Sequence, residues 1–189
     1  MAAHGGLRVT DMGPGKAWAA RPLIVSSDYL AEFERHVLLG FSGISRLSGD
    51  YARKNISNIL AGNTDRELSE IRGLADEGID AFEAAADYQD IGMLLRKGWQ
   101  LKRRLAEGVS SDWMDTLYAS ALKAGAFGGK LMGAGGGGFF FFVAPPERHE
   151  AIKRVLSAIR VWVPFRIDRS GSQVVFFNDD QPVLEHAEL

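Results

Sequence analysis

The residues best suited to chemistry are a cluster of glycines. Between Gly125 and Phe142 the chain reads GAFGGKLMGAGGGGFFFF, with Gly133, Ala134, Gly135, Gly136 and Gly137 at its centre and Lys130 just before them. Glycine lacks a Cβ and reaches positive φ at little cost, so such a run can turn its main-chain N–H groups onto a ligand oxygen. The pattern predicts a backbone cradle for an anion such as phosphate. Lys130 would add a flexible ammonium, although a lysine beside a surface loop is often simply solvated. The four phenylalanines that follow fit a strand buried on both faces, which would anchor the far end of the loop.

Two familiar glycine signatures are excluded. A Walker A loop places Lys and then Ser or Thr after its last glycine, whereas Phe139 and Phe140 follow Gly138. Gly133, Gly135 and Gly138 satisfy GxGxxG, but a dinucleotide fingerprint follows a strand and opens a helix, the reverse of the order read here. The glycines could also form only a tight helix-to-strand connection. Upstream, the strand-like FSGISR ends in Ser45 and Arg46, where a guanidinium could hold a phosphate with paired hydrogen bonds or simply pair with Asp50. His4, His36, His149 and His186 are scattered without ligand spacing, so no metal site is expected from them. No motif marks an activated serine. Lys102, Arg103 and Arg104 read as a solvated helix face, and Trp99, Trp113 and Trp162 as core or interface residues.

The elements that must position these groups follow from periodicity and punctuation. Leu7 to Met12 and Ala17 to Val25 read as extended pieces around a turn at Gly13, Pro14 and Gly15. Ser26 or Ser27 caps a short helix through His36, followed by a strand over Val37 to Ser42. Thr64 with Glu67 makes a capping box, and Leu68, Ile71, Ala75, Ile79 and Phe82 share a helical stripe. A helix from about Asp90 to Glu107 stops at Gly108. Another begins near Ser111, buries Trp113, Leu117 and Ala121, and ends at Gly125, so that the glycine loop issues from a helix C-terminus. Pro146 then opens a helix carrying Ile152, Val155, Leu156 and Ile159. A closing hairpin pairs Val163 to Ile167 with Gln173 to Phe177. The sum is an α+β domain: an antiparallel sheet of about four strands with helices packed on it.

The 189 residues suit one domain, and 46% hydrophobic with 24% charged residues is a globular composition. A net charge of −2 leaves no basic footprint for nucleic acid. Cysteine is absent, which excludes disulfides and thiolate metal sites and agrees with a cytoplasmic home. No signal-peptide pattern opens the chain, and no apolar run suits a bilayer core of about 30 Å, so no membrane partner is expected.

The stretch GAFGGKLMGAGGGGFFFF resembles the third conserved motif of the GHMP small-molecule kinases, the superfamily of galactokinase, homoserine kinase, mevalonate kinase and phosphomevalonate kinase. HVLLGFSGISR (His36 to Arg46), GWQLKRRLAEGVSS (Gly98 to Ser111) and VPFRIDRSGSQVV (Val163 to Val175) are similar, in order, to segments of the heptose 7-phosphate kinase branch. The resemblance extends from about Ala2 to Phe177. It implies a ferredoxin-like C-terminal domain over residues 36–180, a remnant of the lobe junction over 1–35 and a tail over 181–189.

Family members are longer and begin with a lobe bearing a PxGxGLGSSA-like phosphate loop and, in the heptose branch, an aspartate in a Gln-Asp-Gln segment. Neither pattern occurs here. The resemblance therefore implies the C-terminal lobe of an ATP-dependent, Mg2+-requiring sugar kinase, inactive alone, with ATP and Mg2+ held mainly by the other lobe and no catalytic residue of its own. By resemblance Gly133, Ala134, Gly135, Gly136 and Gly137 line the site, with Lys130, Ser45 and Arg46 as further substrate contacts. The alternatives are a non-catalytic sugar-phosphate-binding or assembly module, paired with a separately encoded N-terminal lobe, and a GHMP kinase of galactokinase or mevalonate kinase type.

Overall fold

The computed structural model describes residues 2–13, 19–44 and 49–175. The chain divides into two compact units, Leu23–Arg166 and the paired ends Met1–Pro22 with Ile167–Leu189. In the smaller unit, β1 (Arg8–Asp11) pairs antiparallel with β2 (Ala19–Pro22), with Arg8 opposite Pro22. The expected N-terminal hairpin is present in its strands, while Pro14 and Gly15 of its turn lie outside the described residues. Gly6 N–H donates to Asp168 O at 2.6 Å and Ser172 N–H to Ala3 O at 3.0 Å, which joins the two chain segments of this unit.

The larger unit begins with α1 (Ser27–Arg35), capped by Ser26, whose hydroxyl accepts from Tyr29 N–H at 3.2 Å. There follow β3 (Val37–Phe41), α2 (Gly49–Leu60), α3 (Asp65–Glu83), α4 (Tyr88–Arg104) and α5 (Asp112–Lys123). Asp87 caps α4 and Ser111 caps α5 through their side-chain oxygens. The chain then runs through β4 (Gly128–Leu131), β5 (Phe139–Val143), a short 3-10 turn at Pro146–Arg148, α6 (His149–Val155) and β6 (Val161–Val163). Strand order is β4-β5-β3-β6 and every pairing is antiparallel, as the α+β reading expects.

Side chains alternate across β5, so its two faces build two cores. Phe140 and Phe142 are fully buried with Trp99, Met114, Leu131 and Ile152 on one face. Val143 joins Phe33, Val37 and Ile91 on the other, with Phe141 edge-on to Phe165 at 5.4 Å. Phe139 and Phe141 keep partial exposure, so the burial expected on both faces is complete on one and partial on the other.

Four local expectations are corrected. The capping box at Thr64 does not form: its side chain makes no cap bond, and its hydroxyl is buried without a partner among the described residues. Trp113 is 40% exposed, because α5 turns Met114, Leu117, Tyr118 and Ala121 inward, so that Leu117 and Ala121 are buried as predicted while Met114 takes the inward place expected of Trp113. Gln173 to Val175 do not return as a strand, and Phe176 and Phe177 lie outside the described residues. Finally, the glycine loop does not leave a helix. Gly128 and Gly129 belong to β4, so the loop joins two antiparallel strands.

The reason for a Gly-Gly strand is close packing. A Cβ on Gly128 would lie 1.9 Å from Gly92 O in α4, and one on Gly129 would lie 2.2 Å from Phe141 O. Hydrogen at Gly128 lets α4 rest flush on the outer strand, and hydrogen at Gly129 lets that strand lie close against β5.

Candidate functional site

The hairpin connection runs from Met132 to Gly138 and is closed at its base by Met132 N–H donating to Phe139 O at 2.8 Å. Within it Gly133, Gly135, Gly136 and Gly138 have φ of +76°, +102°, +71° and +102°. L-residues rarely adopt such values. Two anchors hold the loop against the rest of the unit: Gly136 N–H donates to Val109 O at 3.0 Å, and Gly138 N–H to Ile44 O at 2.9 Å. Gly135 and Gly137 are needed for clearance, since a Cβ on either would come within 2.9 Å of Val109 O or 2.6 Å of Ile44 O.

These anchors leave other donors unused. Among the described residues, the N–H groups of Gly133, Ala134, Gly135 and Gly137 meet no backbone acceptor. Gly133 is exposed, Ala134, Gly135 and Gly137 are half-buried, and Gly136 is buried. A loop with turned, unspent amides at its surface can receive an anion's oxygens. Because the loop joins two strands, it does not continue from the end of α5, contrary to the geometry expected from sequence.

The predicted side chains divide. Lys130 is half-buried on β4, next to the loop. Ser45 and Arg46 lie outside the described residues. The lysine that touches the loop is a different one. Lys102, in the last turn of α4, donates to Leu131 O at 3.1 Å and to Gly133 O at 2.5 Å. It is therefore no part of a solvated basic face, unlike its neighbour Arg103, which pairs with Asp115. Burial, with a smaller contribution from the nearby Lys130 charge, lowers the Lys102 pKa to about 8. The signal available in the sequence was helical phase: Lys102 follows the buried Trp99 by one turn and lies over its ring, 5.8 Å from the centroid.

Tyr118 from α5 acts similarly on the same strand, donating to Gly129 O at 2.9 Å. Both side chains satisfy carbonyls of β4, which is an edge strand of the sheet among the described residues. A groove of about 420 Å³ lies elsewhere, between α3 and α4, lined by Glu70, Leu74, Glu77, Lys97, Gln100 and Arg104 among others, and includes no loop residue. Among the described residues no three His, Cys, Asp or Glu side chains gather to hold a metal ion. No helix among the described residues is long and apolar enough to cross a membrane.

The fold and the hairpin define a class. Residues 79–160, from α3 through the glycine loop to the end of the helix after it, match the family description "GHMP kinases C terminal", and the chain carries a GHMP kinase C-terminal domain. Over 136 residues it is 30% identical to D-glycero-alpha-D-manno-heptose 7-phosphate kinase of Campylobacter jejuni, a match covering 71% of this chain and 39% of that protein. Among solved structures it is similar to L. major mevalonate kinase in complex with R-mevalonate, with a TM-score of 0.67 at 18% identity over 89% of this chain and 51% of that one. It is also similar to a D-glycero-D-manno-heptose 1-phosphate kinase from Bacteriodes thetaiotaomicron, with a TM-score of 0.62 at 23% identity over 90% and 45%. Those two likenesses establish the fold. The chain spans half or less of the length of the heptose kinase relatives it matches.

Proposed function

We propose that this chain is the C-terminal lobe of an ATP-dependent sugar kinase that transfers the γ-phosphoryl group to the anomeric hydroxyl of a heptose 7-phosphate, a cytoplasmic step in nucleotide-heptose synthesis for surface polysaccharide. The observation that carries the reading is the glycine hairpin, whose Gly133, Ala134, Gly135 and Gly137 amides have no backbone acceptor among the described residues. The 30% identity to a heptose 7-phosphate kinase favours this branch over mevalonate kinase.

Phosphoryl transfer asks the protein mainly to position groups and neutralise charge. In this reading Gly133, Ala134, Gly135, Gly136 and Gly137 line the acceptor side of the pocket, with Lys130, Ser45 and Arg46 as candidate contacts to the sugar phosphate. ATP and Mg2+ are held mainly by a phosphate-loop lobe whose pattern these 189 residues lack. The base that takes the hydroxyl proton also belongs to that lobe, supplied by a longer chain or a separate one.

Calorimetric titration of the purified chain with D-glycero-D-manno-heptose 7-phosphate, beside mevalonate and with an assay for ADP release, tests this. The expected result is saturable heptose phosphate binding without ATP turnover. Binding of mevalonate alone would move the chain to another branch. ADP release dependent on heptose phosphate would show that the lobe suffices by itself and would overturn the division of labour.

A further inference from the structure

Lys102 stands apart from the rest of its basic cluster in where its charge is placed. A half-buried ammonium is costly unless its donors are used. Here two of the three go to main-chain carbonyls, Leu131 O at 3.1 Å and Gly133 O at 2.5 Å, at the point where β4 ends and the glycine loop begins. No carboxylate pairs with this ammonium among the described ion pairs. The charged group that faces it from β4 is Lys130, of like sign. From α5, Tyr118 is occupied with Gly129 O, and Asp115 with Arg103 and Ser110. Glu70 and Glu77 of α3 line the groove with Lys97 and Arg104, around α4 from Lys102. A surface lysine placed only for solubility or for the helix dipole would not be held against a like charge in this way.

The consequence follows from peptide geometry. In a trans peptide the C=O and the next N–H point in opposite directions. Leu131 C=O faces Lys102, and accordingly Met132 N–H faces β5, where it donates to Phe139 O at 2.8 Å. Gly133 C=O also faces Lys102, so Ala134 N–H is turned away from α4. That amide is one of those with no backbone acceptor among the described residues. Gly133 is also the first loop residue with positive φ, +76°, and a Cβ there would meet nothing within 4 Å. The base bond of Met132 and the anchors at Gly136 and Gly138 hold the loop on either side of this peptide, and among the described residues the bond made at the Gly133–Ala134 peptide itself is the one from Lys102.

We propose that Lys102 is the positioning residue of the glycine hairpin: its charge, bonded to Leu131 O and Gly133 O, sets the Gly133–Ala134 peptide with its N–H directed outward to receive an anion. The consequence for affinity rests on the function proposed above, whereas the effect on the hairpin itself does not.

The test uses the full chain and reads the loop by NMR without ligand. In the wild type the Leu131 and Gly133 carbonyl carbons and the Ala134 amide should shift together in one titration step with a midpoint near pH 8. Lys102→Arg, which keeps the charge and does not titrate in this range, should retain the low-pH shifts and lose the step. Lys102→Met should move those signals at all pH values and lower affinity for inorganic phosphate and heptose 7-phosphate about tenfold; Lys102→Arg should restore it, with affinity independent of pH between 7 and 9. Loss of the NMR step with no phosphate binding by any variant would support the clamp and sink the kinase-lobe reading. Unchanged Gly133 and Ala134 signals in Lys102→Met would overturn the proposal; if Lys102→Met does not fold, Lys102→Gln is read in the same way and decides.

Discussion

Two glycines a few residues apart are constrained for different reasons, and that difference can be measured. Gly128 has no room, since an added Cβ would lie 1.9 Å from Gly92 O, whereas Gly133 has room but sits at φ +76°. Gly128→Ala should therefore cost more than the ~1–3 kcal/mol usual for overpacking, because the opposing atom is backbone and cannot rotate away. Gly133→Ala should cost roughly 1–2 kcal/mol of backbone strain. Urea denaturation ranks the two, and equal losses would contradict the packing account. Tyr118 offers a pH test of the same strand. Burial pushes its phenol up to about 12, so the folded state holds the proton more tightly than the unfolded chain. Its stabilisation is complete below pH 10 and lost as pH rises toward 12. Tyr29, also raised to about 12, adds a parallel loss. Tyr118→Phe should thus lower stability by about 1 kcal/mol at pH 7 and flatten, without abolishing, the fall between pH 10 and 12. Residue identity alone points to the glycine-rich turn but not to the Lys102 or Tyr118 bonds, because both reach across sequence to β4, whose Gly128 and Gly129 have the composition of a loop.

Whole elements were legible where local chemistry decides them. Ser26 and Ser111 cap helices through bonds within three residues, and the strand after α1 follows from a continuous apolar run, whereas the helix expected from about Asp90 starts two residues earlier, capped by Asp87. β4 escaped notice because GGKL has poor strand propensity. It is a strand only because α4 packs on it and β5 pairs with it. The Thr64–Glu67 pattern failed for a comparable reason: tertiary packing turned the Thr64 hydroxyl into a 3% exposed site, away from the helix amides. The two threonine and serine positions therefore predict opposite mutational outcomes. Ser26→Ala removes a bond to Tyr29 N–H and should cost about 1 kcal/mol. Thr64→Val keeps the shape and removes an unpartnered buried hydroxyl, so it should be neutral or stabilising. A loss on Thr64→Val comparable to that on Ser26→Ala, in the same thermal or urea series, would show that the hydroxyl has a partner after all.

At the scale of the molecule, sequence pattern carried the antiparallel sheet with its helices, but not the strand order. β3 meets β5 and β6 across about a hundred intervening residues, and nothing local encodes such pairings. The same long-range pairing makes a strong statement about what must stay together. Both apolar clusters lie between Phe33 and Phe165, inside the unit Leu23–Arg166. α1 belongs with them, since Leu30 and Phe33 are buried and the Phe33 ring meets Phe82 edge-on at 5.1 Å. A chain limited to residues 23–166 should therefore unfold in one cooperative transition, with a midpoint within about 4 °C of the 189-residue protein, the shift that roughly 1 kcal/mol makes in a domain of this size. A chain starting at residue 36 loses Leu30 and Phe33 from the core, and large-to-small losses of buried aromatics alone cost about 3–5 kcal/mol, so it should melt far lower or not fold. Calorimetry separates these outcomes. If the 23–166 chain shows two transitions or no transition while the full chain melts cooperatively, the two units share a core, and the stability of the hairpin must be traced to both.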